Sequence, residues 1–282
     1  MRRALMRAAG YIPLLIFAAV FLAPVVVMVV TSLKANESQI MREMASLQAF
    51  WTTAPSLANY QAVLTGKGLG ATPWVRFLLN TVLIVGSIVV LGILVNSMAA
   101  FALSRLRFRG RGLVVSLVVA LIILPFEGLA VPLFLMVNRL GWFDSYHVQI
   151  VPFIAHPFSI FLFYQFFNRV PRELDEAAKV DGASWWQVYR KIILPVSLPV
   201  IATVAILQSL EYWNSFLWPL MVTRGPDYRP LSVAMNTFFG QPPRSWGDIM
   251  AFAFLTALPL LVLYLVFQRW FVRSVAQSGL KG

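Results

Sequence analysis

The 282-residue sequence contains no cysteine, which excludes disulfides and every thiolate-bound metal. Histidine is nearly as scarce: His147 and His156 are the only two, and they offer little towards a zinc site. Charge is thin as well. Only 12% of the residues are Asp, Glu, Lys or Arg while 59% are apolar, against about 25% charged in an average soluble domain. A water-soluble fold could not hide that much apolar surface. Also missing is a phosphate-cradling loop, in which two glycines flank four residues ahead of Lys and Ser or Thr; Gly66-Lys67-Gly68 does not follow that pattern. No nucleotide and no cofactor is therefore expected on this chain.

The charge that is present leans positive, to a formal +12. Nucleic-acid binding would need those cations gathered on one soluble face, with aromatic rings among them for base stacking. Here they fall between long apolar runs. A membrane-embedded enzyme would need acids, histidines or metal ligands converging at one depth, and the apolar segments offer only Glu127, Glu211 and His156.

A helix rises about 1.5 Å per residue and needs about 20 apolar residues to cross a hydrocarbon core of ~30 Å. Six segments meet that length: Tyr11 to Leu33, Phe77 to Leu103, Leu113 to Val137, Gln149 to Phe167, Pro195 to Val222 and Ile249 to Phe267. Arg2, Arg3 and Arg7 ahead of the first run mimic a secretory leader. The run is too long for a leader's apolar core and lacks a clear small-residue cleavage site, so it reads as a retained first span. The expected fold is an all-α membrane protein of about six transmembrane helices, organised as one domain over residues 1–282 with core spans over 77–270.

Basic residues alternate in density between successive connections. Arg2, Arg3 and Arg7, then Arg105, Arg107, Arg109 and Arg111, then Arg169, Arg172, Lys179, Arg190 and Lys191, and finally Arg269, Arg273 and Lys281 make fifteen of the 23 Lys and Arg. The positive-inside rule then places both termini in the cytoplasm, with Asn36 to Pro73 and Gly225 to Gly247 outside.

The hydrophilic segment Arg169 to Lys191 is the most informative stretch. Pro171 suits a first helical turn, Glu173, Asp175 and Glu176 favour the positive end of a helix dipole, and Gly182 is a natural left-handed terminator. Ser184 followed by Gln187 reads as a capping box opening a second helix, which Pro195 interrupts. Leu174, Ala177, Ala178 and Asp181 share helical spacing, a small and weakly apolar face suited to a groove on a soluble partner. These features fit an ordinary interfacial loop equally well.

Resemblance separates the two. Glu176-Ala177-Ala178, then Gly182, then Ile192-Ile193-Leu194-Pro195 resembles the signature loop of binding-protein-dependent ABC importer permeases. Asn59-Tyr60, Ala100-Phe101-Ala102-Leu103-Ser104-Arg105, and Trp213-Asn214 with Phe216 and Trp218-Pro219-Leu220 resemble the maltose-type carbohydrate permeases. The tail Gly279-Leu280-Lys281-Gly282 is similar to the end of the shorter permease subunit. The resemblance implies a multi-pass transport subunit without catalytic residues, in a bacterial or archaeal cell membrane, carrying a sugar or oligosaccharide. It implies a second permease in a heterodimer, two copies of a cytoplasmic ATPase subunit, and an extracytoplasmic solute-binding protein as partners. Glu176, Ala177, Ala178, Asp181 and Gly182, within residues 169–194, would receive the ATPase stroke, and residues Gly279 to Gly282 would reach between the ATPases. Importers of glycerol phosphate or polyols share much of this pattern. An ion-coupled secondary transporter would show an internal repeat with broken helices at matching positions, and no convincing repeat is present.

Within the spans, formal charge falls only on Glu127 and Glu211. Ionisable groups at membrane depth generally face a cavity or a partner. Counting rise per residue puts both glutamates about two-thirds across from the cytoplasmic end. Glu211 is followed by Tyr212, Trp213 and Asn214, a mixture of ring faces and hydrogen-bonding groups suited to a sugar. The alternative is that either glutamate is simply hydrogen-bonded between helices or near the outer headgroups. Pro125, Pro132, Pro152, Pro157, Pro195, Pro199 and Pro219 would each cost an intrahelical hydrogen bond in a helix interior, as packing kinks or as hinges.

Overall fold

A computed structural model describes residues 2–240 and 243–279, and among them every regular element is helical. In chain order these are α1 (Arg2–Ser32), α2 (Glu37–Glu43), α3 (Ala58–Thr65), α4 (Trp74–Arg105), α5 (Arg111–Ile123), α6 (Phe126–Arg139), α7 (Tyr146–Ile150) and α8 (Pro157–Arg169). There follow α9 (Glu173–Val180), α10 (Trp185–Val188), α11 (Leu194–Val196), α12 (Leu198–Trp213), α13 (Leu217–Val222), α14 (Leu231–Phe239) and α15 (Trp246–Gly279). By their internal contacts the residues divide into two compact units, 1–78 with 233–262, and 79–232 with 263–282.

In the first unit, the segment after α1 is tied down by polar groups. The buried Lys34 ammonium donates to the Glu43 carboxylate at 2.6 Å and to the Gln48 carbonyl at 2.8 Å. Asn59 on α3 donates its amide to the carbonyls of Ser32 and Lys34, both at 2.9 Å. That amide packs so closely on Gly247 that a Cβ there would stand 2.4 Å from Asn59 Nδ2, so any other residue would displace the Asn59 side chain from these bonds.

The second unit contains the loop and the paired glutamates singled out by the sequence. One core gathers Ala100 and Phe101 of α4, Phe163 and Phe167 of α8, Val188, Tyr189 and Ile193 after the loop, and Val200 and Val204 of α12. A second holds Val137, Val148, Trp218 and Val222, and the Trp218 indole donates to the Val148 carbonyl at 2.9 Å. Lipid is as apolar as leucine, so close packing and polar links of this kind, more than water exclusion, hold such helices together. Helix α5 buries none of its residues, the pattern of a helix whose surroundings are lipid or another chain.

Three helical stretches, Tyr11–Ser32, Trp74–Arg105 and Tyr146–Arg169, the last running through α7 and α8, are long and apolar enough to cross a bilayer. The expected third span is instead a bent pair, α5 with α6 at 103°, and the expected fifth opens on another bend, 76° between residues 185–196 and α12. The first break follows from proline. A residue ahead of proline is pushed out of the helical region; Leu124 is extended (φ −72°, ψ 120°) and Pro125 caps α6. The second lies at Ser197, just before Pro199 in the first turn of α12. The fifth segment is interrupted again between Trp213 and Leu217, where α12 gives way to α13. The sixth lies within α15, apolar over Trp246–Val262.

Most of the seven prolines therefore start helices rather than kink them. Pro152 and Pro157 occupy first turns, Pro219 lies in the first turn of α13, and Pro132 sits in a helix interior. Pro195 follows a π-helical turn, Tyr189–Ile193, consistent with its ring crowding the carbonyl four residues earlier.

Candidate functional site

The segment between α8 and α12 forms the expected helix, turn and helix. The acidic first turn of α9 holds Glu173, Asp175 and Glu176, and the helix ends at Val180. Gly182 takes φ +78°, in the left-handed region, while a Cβ there would meet no atom within 4 Å. Glycine is thus required by backbone conformation alone. The Ala183 N–H closes the turn on the Ala178 carbonyl at 2.9 Å. Ser184 then caps α10 in both directions: its hydroxyl accepts from the Gln187 N–H, and its own N–H donates to Gln187 Oε1 at 2.7 Å. Lys179 braces the elbow, donating to the Ala183 carbonyl at 3.0 Å and lying 4.9 Å from the Trp185 ring centre.

The inward side of α9 differs from the sequence expectation. Leu174, Ala177 and Asp181 are exposed as that reading required, but Ala178 packs against the first core. The residue that anchors the helix is Asp175. Arg105 Nε, at the end of α4, stands 2.8 Å from Asp175 Oδ2 with the two side chains 2% and 7% exposed. The same guanidinium donates to the Val170 carbonyl at 2.8 Å. Burial pushes the Asp175 carboxyl up from its ordinary value, opposed by the neighbouring Arg105 and Arg172. Glu173, Glu176 and Val180, the last 87% exposed, complete an outward surface.

The broken spans build a second feature in the same unit, a cavity of about 830 Å³ that brings together Glu127, Glu211 and Tyr212. The break at Pro125 places Glu127 in the first turn of α6, where the helix dipole favours an acid. It also means that counting residues from one end of the segment does not measure the depth of Glu127. Trp213 is buried and Asn214 turns its amide to the Leu210 carbonyl, so neither lines the cavity.

His156 lines the cavity, a role that the sequence reading did not assign to it. It caps α8, and its backbone N–H donates to Asn96 Oδ1 of α4 at 2.9 Å. Its ring lies 2.9 Å from the Ser159 hydroxyl through Nδ1 and 3.6 Å from Glu211 Oε2 through Nε2. Gln208 donates to Ser159 at 3.1 Å. The available signal was uncharged: Asn96, Ser159 and Gln208 all lie within apolar spans, where polar side chains must find partners.

Phe126, Phe153 and Tyr212 line the cavity, with the buried Trp218 packed behind them. Their ring centres are 5.6 Å apart for Phe126–Phe153 and Phe153–Tyr212, and 5.9 Å for Phe153–Trp218. No group of three or more metal-ligating side chains occurs among the described residues. Gly279 is the last residue of α15, while Leu280, Lys281 and Gly282 lie outside the described residues.

The family of binding-protein-dependent transport system inner membrane components matches this chain over residues 88–277, a stretch that holds both the elbow and the cavity. The chain belongs to that family. This permease is 34% identical over 266 residues to the arabinooligosaccharides transport system permease protein of Halalkalibacterium halodurans, covering 94% of this chain and 92% of that one. It is 32% identical over 232 residues to the trehalose/maltose transport system permease protein of Thermococcus litoralis, covering 80% and 82%. Its fold matches a bacterial ABC transporter involved in the import of the acidic polysaccharide alginate, with a TM-score of 0.79 and 21% identity over 95% of this chain and 97% of that chain. The permease is an inner membrane transport component built from apolar helices.

Proposed function

We propose that this permease forms half of the path of an ATP-driven importer for a sugar or oligosaccharide, and that the α9–α10 elbow receives the stroke of a separate ATPase. The exposed elbow carries this reading. It presents Leu174, Glu176, Ala177, Asp181 and Gly182 outward while Asp175 locks its other side to α4. A rigidly anchored helix with a free face can pass displacement from a soluble partner to α4 and α12. The carbohydrate cargo rests on the names of the two similar permeases and on the cavity's pairing of acids with aromatic rings.

In this arrangement the whole chain acts as one transmembrane domain beside a second, non-identical permease, with two ATPase copies on the cytoplasmic face and a solute-binding protein outside. Both termini and the elbow are cytoplasmic, a side assignment supported by the distribution of Lys and Arg. Glu127, Glu211 and Tyr212 contact cargo in passage. Ala178 supports the elbow from within, and residues 279–282 reach the ATPase pair.

Reconstitution tests the assignment. The purified chain with its partner permease and ATPase, placed in liposomes, should take up glycan only when both ATP and the solute-binding protein are present. Uptake that needs neither, or that follows an ion gradient, would reject it.

A further inference from the structure

We propose that the cavity selects uncharged glycans and works against anionic cargo such as phosphorylated polyols or uronate chains. This rests on the reading of the chain as a carbohydrate permease and adds the charge class of what it carries. The acids on the lining are Glu127 and Glu211, and no lysine or arginine is among the described residues that line it. His156 is the one basic ring present on that lining, with Nδ1 hydrogen-bonded to Ser159 and Nε2 facing Glu211. Ser159, which accepts from Gln208, is free to donate its own hydrogen to His156 Nδ1, leaving Nε2–H to face Glu211 at 3.6 Å. One imidazole thus stands on the lining against two carboxyl groups.

The chemistry of such a lining is one-sided. Carboxylates accept hydrogen bonds from sugar hydroxyls, and these charge-assisted bonds are stronger than neutral ones. The interlocked rings of Phe126, Phe153 and Tyr212 offer flat apolar faces to the C–H faces of a pyranose or furanose. An anion in the same space would lose its water and meet like charge in surroundings that screen poorly, with no lysine or arginine among the described lining residues to receive it.

The test uses the complete transporter in proteoliposomes with its purified solute-binding protein. That protein is first screened against neutral oligosaccharides, oligouronates and sn-glycerol 3-phosphate, and uptake is then measured for every ligand it binds. Neutral ligands should enter about tenfold faster than anionic ligands held with equal affinity, the scale of one lost charged hydrogen bond. Glu127→Gln with Glu211→Gln should lower neutral uptake about tenfold and narrow the neutral-to-anionic ratio. Failure to recover the assembled complex identifies a variant that only fails to fold, and the wild-type ratio needs no variant. Equal entry of anionic and neutral cargo, or a solute-binding protein that takes anionic ligands alone, overturns the charge selection while leaving ATP-driven uptake in place. Where only neutral ligands are bound, unchanged neutral uptake in the assembled Gln variants overturns it. Absence of any ATP-driven glycan uptake by the wild type removes the carbohydrate reading itself, and the selection with it.

Discussion

The hydroxyl groups of Ser97 and Tyr189 meet at 2.8 Å inside the core, joining the C-terminal third of α4 to the π turn that follows the elbow. Ser97 already donates to the Ile93 carbonyl at 2.6 Å, so the shared hydrogen comes from Tyr189. The Phe101 ring lies 5.2 Å from the Tyr189 ring and 6.3 Å from that of Trp185. With Arg105 on Asp175, α4 grips both arms of the elbow. Isolated π turns inside α-helices recur at functional sites. This one lies on the route from the elbow into α12.

The two hydroxyls should not be equivalent. Tyr189→Phe leaves Ser97 bonded to Ile93 and should cost about 1 kcal/mol, whereas Ser97→Ala leaves the buried Tyr189 hydroxyl without its acceptor and should cost about 1–3 kcal/mol. Thermal unfolding of the two variants and their double mutant measures the difference. Equal costs would show that the pair contributes through packing alone.

Asp175→Asn should be among the most damaging conservative changes outside the spans. It strands the Arg105 guanidinium in a buried site, a penalty of about 3–5 kcal/mol, and frees α9 from α4. Replacing both partners with leucine removes the stranded charge and should recover part of the loss. ATPase subunits retained on purification, together with melting temperature, separate loss of the elbow from global unfolding. Full retention with Asp175→Asn would mean that the elbow does not depend on this anchor.

Gly182→Val should disable the elbow while the spans still insert, because a β-branched residue at φ +78° carries backbone strain of about 1–3 kcal/mol. Asn tolerates that region better, so Gly182→Asn should act as a partial rescue. The measurement is ATPase attachment and cargo-stimulated hydrolysis. Wild-type values in the Val variant would take the coupling role away from this loop.

Sidedness is open to direct labelling, since the sequence has no native cysteine to interfere. Cysteines at the exposed positions Ser46 and Val180 should react from opposite sides of the membrane. Reaction from the same side would reject the orientation drawn from Lys and Arg.

The elbow was legible in the sequence because its parts are local. Ser184 and Gln187 cap each other across three residues, Gly182 supplies its own positive φ, and the acids of α9 lie within one turn. The cavity was half legible. Formal charge pointed to Glu127 and Glu211, whereas His156 owes its place to Asn96, Ser159 and Gln208 on three helices. Sequence neighbours of Glu211 were poor guides, since Tyr212 lines the cavity while Trp213 turns inward and Asn214 bonds within its own helix.

The sequence by itself determined that this is a helical membrane protein, where its apolar runs lie, and where the elbow turns, because chain length against bilayer thickness, capping and backbone strain all act within a few residues. Only the tertiary structure decided that α9 turns Asp175 inward and that Glu127, Glu211 and His156 line one cavity. Those outcomes depend on partners far apart in the chain, as Arg105 and Asp175 are. Apolar pattern was no guide to them, because in lipid a residue facing the bilayer and one facing the protein core are equally apolar.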